Sequence, residues 1–285
     1  MLITPFDPWK SKLCTCPKKL TLNPYTGCPH GCLYCYVSSY VPSFFNCMPK
    51  ENLIPRLRRE VTKLEGGLVS IANSSDPYPP MEQTLGLTRK CLQILSEHHF
   101  KLQLVTKSPL VTRDIDILQR TPSMVSMTIT TEDDKLARIV EPYSPPPSKR
   151  LEAVGKLLQK GIPTSVRIDP LIPLLNHNPE RLIRKLASKG VAHVTCSTYK
   201  AKHDNWKRLA RAFPLIAESL NPLYFNGGER VGRSFYLSID ARKGILEKAK
   251  GLVEERGMKF SSCREGFPQL NSATCDGSWL IQEAL

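Results

Sequence analysis

Short apolar, β-branched runs recur along the chain, separated by stretches whose apolar positions repeat every three to four residues. The two periods mark strands and helices in turn. Strand character is carried by "KLTLNPY" (19–25), "GLVSIAN" (67–73), "KLQLVTK" (101–107), "MVSMTIT" (124–130), "PTSVRID" (163–169) and "VAHVTCS" (191–197). Between them "ENLIPRLRREVTKL", "TRKCLQILSEH", "LVTRDIDILQR", "KRLEAVGKLLQKG" and "NPERLIRKLASKG" have helical spacing. In the fourth, Leu151, Val154, Leu157 and Leu158 share one face, and Gly161 stands where a left-handed glycine stops a helix. The fifth opens on Asn178 and Pro179, a capping residue followed by proline at the first helical position. Six strand–helix units predict a parallel α/β sheet, built either as a partial (β/α)6 TIM-type barrel or as a doubly wound sheet.

Beyond residue 200 the alternation weakens. "NWKRLARAFPLIAESL" and "ARKGILEKAKGLVEERG" keep helical spacing, "NPLYFNGGERVGRSFY" reads as a loop or short hairpin, and the tail is rich in turn residues. The expected organisation is a core over residues 1–200, with an irregular, α-rich extension over 201–285 packed on it. That extension would serve the substrate side or hold an auxiliary metal site. A formal charge of +14 over 285 residues favours an anionic partner, nucleic acid first, against the plainer reading of a merely basic enzyme. No uncharged apolar run approaches the roughly 20 residues of a membrane span, and "MLITPFDPWK" lacks the charged and apolar regions of a secretory signal. The expectation is a cytoplasmic protein whose ten cysteines stay reduced, available to metals or catalysis rather than disulfides.

"NPYTGCPHGCLYCYV" concentrates Cys28, Cys32 and Cys35 in a C-x3-C-x2-C loop at the end of the first predicted strand. Thiolates bind soft metals, and three of them on a four-iron cubane leave one iron open to a second ligand. The alternatives are a zinc site completed by a distant Cys or by His30, or a cysteine-rich turn. Cys14, Cys16, Cys263 and Cys275 lie near the two chain ends. They could meet as a second iron–sulfur cluster or a zinc site, remain independent thiols, or join Arg264, Glu265 and Asp276 in a substrate-side loop. Cys47, Cys91 and Cys196 suit packing as small hydrophobes, with Cys196 also a candidate catalytic hydrogen donor because it ends a strand. Thr128 and Thr130 share one strand face, as do Arg167 and Asp169.

The C-x3-C-x2-C spacing with Tyr34 before the last cysteine resembles the motif of the radical S-adenosylmethionine superfamily. Together with "SIANSSDPYPPME", "LVTKSPLV", "SMTITTEDD", "VEPYSPPPSKRLEAVGKL" and "SVRIDPLIPLLN", it is similar to the spore photoproduct lyase (DNA repair photolyase-like) branch, over residues 15 to 200. The resemblance implies a partial (β/α)6 barrel and a [4Fe–4S] cluster on Cys28, Cys32 and Cys35. It implies S-adenosylmethionine on the open iron, cleaved reductively to a 5′-deoxyadenosyl radical that abstracts hydrogen from substrate. It further implies that Ser75 and Asp76 meet the cofactor's ammonium group and Lys107 its carboxylate, with Tyr34, Thr128, Thr130 and Arg167 around it. Glu141 and Arg150 match the branch's Glu-Pro and pre-helix arginine. Expected partners are a nucleic acid substrate and a reductase or ferredoxin-type electron donor. One departure stands out: Ile71, Ala72, Asn73 and Ser74 occupy the segment where the lyase carries its hydrogen-donating cysteine. The general radical mechanism therefore carries over without the spore photoproduct reaction itself. Other functions weighed are a radical enzyme acting on a peptide or small metabolite, and a non-catalytic zinc or iron–sulfur protein that binds nucleic acid.

Overall fold

The computed structural model describes residues 1–6 and 11–283. Eight strands form one sheet whose spatial order follows the chain: β1 (Thr4–Pro5), β2 (Leu20–Leu22), β3 (Leu68–Ile71), β4 (Lys101–Thr106), β5 (Ser123–Thr128), β6 (Thr164–Leu171), β7 (His193–Thr198) and β8 (Lys259–Ser262). Only the edge strand β1 is antiparallel to its neighbour, and every pairing from β2 to β8 is parallel. A doubly wound sheet needs a point where strand order reverses. This sheet has none, which decides for the barrel type.

All six expected strands form, as β2 to β7, and β8 extends the sheet from the segment that reads as turn-rich tail. The helices Leu53–Val61, Leu87–Glu97, Pro147–Gln159 and Glu180–Ser188 cover the outer face of the sheet. Gly161 has the expected left-handed φ of 73°, whereas Pro179 rather than Asn178 takes the N-cap of the helix Glu180–Ser188. "LVTRDIDILQR" splits into a 3-10 turn (Pro109–Asp114) and a short helix (Ile115–Gln119). "NWKRLARAFPLIAESL" becomes two helices, His203–Ala212 and Pro214–Asn221, because proline cannot continue the first.

Strand alternation sorts side chains between two environments. Val69, Leu104, Val125, Val166, Val194 and Phe260 point outward into one apolar core with Leu57, Leu95, Leu157 and Leu186 of the helices. Each such fully buried aliphatic side chain contributes about 1.5–3 kcal/mol. The intervening positions Ser70, Gln103, Ser126, Ser165, Thr195 and Ser261 are buried polar residues on the inner face. Neighbouring strands pair them directly: Ser70 with Gln103, Ser126 with Ser165, and Thr195 with Ser261.

The chain's own tail fills one end of this polar interior. Asp276 pairs with Lys19 at 2.5 Å, and Gln103 Nε2 donates to the Asp276 carbonyl at 2.9 Å. Gly277 passes so near His193 and Ser165 that an added Cβ would come within 2.9 Å of the His193 ring. Leu280 and Ile281 then close over Met124.

Candidate active site

A cavity of about 430 Å³ runs up from this tail plug, where Lys19, Gln103 and Asp276 line it, to the other end of the barrel. There, residues at or just past the C-terminal ends of successive strands form its wall. Active sites of β/α barrels form at this end because loops of independent sequence meet there on a rigid frame. The loop after β2 brings Cys28, Cys32 and Cys35 into the cavity wall. Glycine makes its path: Gly27 (φ 78°) and Gly31 (φ 64°) each precede a cysteine in a conformation L-residues disfavour. A Cβ on Gly27 would stand 2.6 Å from the carbonyl oxygens of Phe44 and Asn46. Phe44 O also accepts the Cys28 N–H at 2.8 Å, so the turn and the first cysteine are fixed together.

Behind the loop lies a buried polar chain. The Tyr34 hydroxyl donates to Glu141 Oε1, Thr130 Oγ1 donates to the same oxygen at 2.9 Å, and Arg150 Nη2 faces Glu141 Oε2 at 2.5 Å. Burial would raise the Glu141 pKa, but Arg150 and Lys107 outweigh it and hold the carboxyl at about 2. Lys107 enters the cavity with its ammonium 5.6 Å from the centre of the Tyr34 ring. Burial opposes its charge, yet Cys32 and Glu141 keep its pKa above the ordinary lysine value. Burial also pushes the Cys32 thiol up to about 11.

Most of the residues singled out in the sequence line the cavity: Tyr34, Ser75, Asp76, Lys107, Thr128 and Arg167. Asp76 is already engaged. It accepts from Tyr78 N at 2.9 Å, Thr106 Oγ1 at 2.7 Å and Lys107 N at 2.7 Å, tying the β3 loop to the end of β4. A carboxylate has about four acceptor positions, and the fourth, on Oδ2, faces His30 Nδ1 at 3.7 Å, beyond hydrogen-bond distance. Ser75 Oγ reaches the Tyr25 carbonyl at 3.4 Å. Arg167 and Asp169 share the inner face of β6 as expected and pair at 2.6 Å. Asp169 is held at about 2, where burial is outweighed by Arg167 and Lys200.

Two expectations need correcting. Thr130 lies beyond the end of β5, where its hydroxyl is spent on Glu141 rather than on the cavity wall. Cys196 cannot donate hydrogen into the cavity, because period-two alternation turns it outward with Val194 into the apolar core. The inward position beside it belongs to Ser197, which donates to Asp169. Of the terminal cysteines, Cys14, Cys16 and Cys263 line the cavity, and the buried Cys275 touches Cys16.

Several site residues went unremarked in the sequence. Asn23 ends the first strand segment, and its buried side-chain oxygen has no partner among the described residues where it lines the cavity. Lys200 follows β7 and pairs with Glu265 at 3.0 Å. Arg208 donates to the Cys35 carbonyl at 2.7 Å and the Leu33 carbonyl at 3.2 Å, and Asn205 Nδ2 donates to the Tyr34 carbonyl at 3.2 Å. The helix His203–Ala212 thus clamps the cysteine loop. Asn23 and Lys200 carried a signal, being polar residues at strand ends. Arg208 was hidden among the other basic residues of its helix.

A chain-ordered parallel sheet with three thiols, cations and carboxylates around one mouth is the layout of an α/β-barrel active site with the donors for a thiolate-bound cofactor. The chain belongs to the Radical SAM superfamily, whose family model matches residues 22–186. It is 32% identical over 163 residues to an uncharacterized protein of Methanocaldococcus jannaschii, covering 54% of this chain and 61% of that one. The chain therefore spans less than two thirds of that relative's length. An uncharacterized protein of Mycobacterium bovis is 27% identical over 259 residues, 83% of this chain and 74% of the relative. Among solved structures, a spore photoproduct lyase variant with bound AdoMet and dinucleoside spore photoproduct has a TM-score of 0.64 at 15% identity, over 88% of this chain and 74% of that one. Streptococcus suis SuiB bound to S-adenosylmethionine gives 0.57 at 13%, over 90% of this chain and 53% of that one. At such identities the likeness is one of fold.

The family implies a [4Fe–4S] cluster and S-adenosylmethionine. The donor set fits both. Three thiols share one wall with a buried ammonium group, and an unpartnered amide oxygen, a carboxylate with spare acceptor capacity and a guanidinium face the same space.

Proposed function

We propose that the protein is a radical S-adenosylmethionine enzyme acting on a nucleic acid strand. The observation that carries the radical part is the convergence of Cys28, Cys32 and Cys35 with Lys107, Asp76 and Arg167 on one cavity. In this reading the three thiolates hold the cluster, and the cluster with S-adenosylmethionine supplies, once reduced by a reductase or ferredoxin-type protein, the 5′-deoxyadenosyl radical that takes hydrogen from substrate. The chain supplies placement and exclusion of water. Lys107 offers its ammonium group to the cofactor carboxylate, and Asp76 and Ser75 offer oxygens to its ammonium. Thr128, Tyr34 and Arg167 bound the space between. Glu141 keeps Tyr34 and Arg150 fixed behind the loop, so the thiols keep their spacing.

The nucleic acid part is supported by cations set over aromatic rings near this mouth. Arg264 lies over Tyr36 at 5.5 Å and Lys202 over Tyr40 at 5.4 Å. Such pairs offer both phosphate contacts and stacking faces for unpaired bases. The spore photoproduct lyase in the matched structure holds a dinucleoside spore photoproduct, yet the lyase's donor position lacks a cysteine here. The substrate in this proposal is therefore a nucleic acid strand without commitment to that lesion. Reducing conditions in the cytoplasm suit thiols destined for metal.

Anaerobic reconstitution followed by chemical reduction tests the radical step. At least about four iron and four sulfide per chain and formation of 5′-deoxyadenosine are expected, with the product and about four of the irons lost in Cys32→Ala. Zinc in place of iron, or product unaffected by Cys32→Ala, would overturn it. A strand that fails to bind even at low salt would remove the nucleic acid assignment and leave a peptide or small metabolite as substrate.

A further inference from the structure

Four thiols outside the C-x3-C-x2-C loop come together from opposite ends of the chain. Cys14 and Cys16 lie in the segment before β2, Cys263 directly follows β8, and Cys275 precedes the tail that enters the barrel. Cys16 Sγ is 3.1 Å from Cys275 Sγ, and Cys14, Cys16 and Cys263 line the same cavity. The backbone holds these segments in place. Cys263 N donates to the Cys196 carbonyl at 2.9 Å, Thr195 Oγ1 donates to the Cys275 carbonyl at 3.0 Å, and Asn271 Nδ2 donates to Thr15 Oγ1 at 3.4 Å. Cations gather here too: Arg167 and Arg264 line the same cavity as Cys14, Cys16 and Cys263.

We propose that Cys14, Cys16, Cys263 and Cys275 form a second metal centre, in which four thiolates bind a zinc ion or an iron–sulfur cluster distinct from the one assigned to Cys28, Cys32 and Cys35. Thiols are weak hydrogen-bonding groups, so their mutual contacts give the fold little reason to collect four of them. Thiolates sharing a soft metal give it one. The 3.1 Å contact is too long for a disulfide, whose sulfurs sit about 2.05 Å apart. It is nearer the roughly 3.8 Å that two thiolates keep on one tetrahedral metal with 2.3 Å bonds. Among the described residues no three His, Cys, Asp or Glu side chains already stand as a single-ion site, the loop thiols included, so the proposal has the metal draw the four sulfurs together. The centre would staple the N-terminal segment to the C-terminal tail along one wall of the cavity.

The proposal stands independently of the radical reading, and the test keeps the two apart. The full chain carrying Cys28→Ala, Cys32→Ala and Cys35→Ala is purified anaerobically, so that the first cluster is removed and only the second set can hold metal. The expected result is about one zinc per chain, or iron with matching sulfide. That metal should fall at least fivefold on adding Cys14→Ser, a near-isosteric change at a half-buried position. Alkylation of the same triple variant gives a second readout. Cys14, Cys16, Cys263 and Cys275 should be protected from iodoacetamide until a chelator is added. Metal absent from the triple variant, metal unchanged by Cys14→Ser, or a Cys16–Cys275 disulfide by mass would each overturn the proposal. Zinc and iron are told apart by elemental analysis, and both outcomes uphold it.

Discussion

Glu141 and Arg150 are both fully buried, and the pair is the anchor behind the cysteine loop. Removing one partner of such a pair leaves an uncompensated charge and typically costs 3–5 kcal/mol. Glu141→Gln should therefore lower the unfolding midpoint strongly, and its pH dependence has a definite sign. The folded carboxyl titrates at about 2 against an ordinary value of 4.5. Its stabilisation is complete above pH 4.5 and drains away as pH falls from there towards 2, a contribution of about 3 kcal/mol. Urea midpoints measured between pH 3 and 6 should show a shallower acid slope in Glu141→Gln than in the wild type. Equal slopes would show that Glu141 is not held ionised by Arg150 and Lys107. This pairing was only half legible in the sequence. Glu141 and Arg150 stood out by resemblance, but their contact spans a turn whose geometry no spacing rule gives. Cys196 misled for a simpler reason: its face depends on a register that a strand of small and β-branched residues leaves open.

At the scale of elements, the loop from Gly27 to Cys35 was the most legible part of the chain, because the thiols, the two glycines and the preceding strand are contiguous. Gly27→Ala would place a Cβ 2.6 Å from two backbone carbonyls in a left-handed conformation, and neither carbonyl can move as a side chain could. The loop should shift, and reconstituted iron should drop by half or more. Gly232→Ala is the control: it is also left-handed, at φ 60°, but has nothing within 4 Å of its Cβ. It should pay only the roughly 1–2 kcal/mol of backbone strain and keep its iron. Equal iron in both variants would show that crowding at Gly27 does not shape the loop. Strand β8 was the least legible element. "KFSS" has a single outward apolar residue, Phe260, and gains its strand conformation from pairing with β7, an interaction between distant segments that local propensity does not record. The same holds for the helix His203–Ala212, whose basic residues read as a solvated face although Arg208 points into the loop.

At the scale of the whole molecule, the polar inner face explains why the floor of the barrel is filled by the chain's own tail, whose Asp276 meets Lys19 and Gln103 there. It does not explain a net charge of +14. That excess makes a measurable claim if the partner is a nucleic acid strand. Each phosphate neutralised releases counterions, so log K falls with log salt at about −0.7 per contact for a single strand. A strand spanning the ring-stacked cations Lys202 and Arg264 should therefore show a slope of about −1.4 or steeper. Lys202→Ala removes one of these cations at a half-buried position without touching the thiols or their carbonyl contacts. It should reduce the slope by about 0.7 and weaken binding similarly for any base sequence. Fluorescence anisotropy of a labelled oligonucleotide across a salt series would read both quantities. Binding indifferent to salt would mean that the basic surface serves solubility, and the substrate would then have to be recognised inside the cavity by Arg167, Lys107 and Asp169 alone.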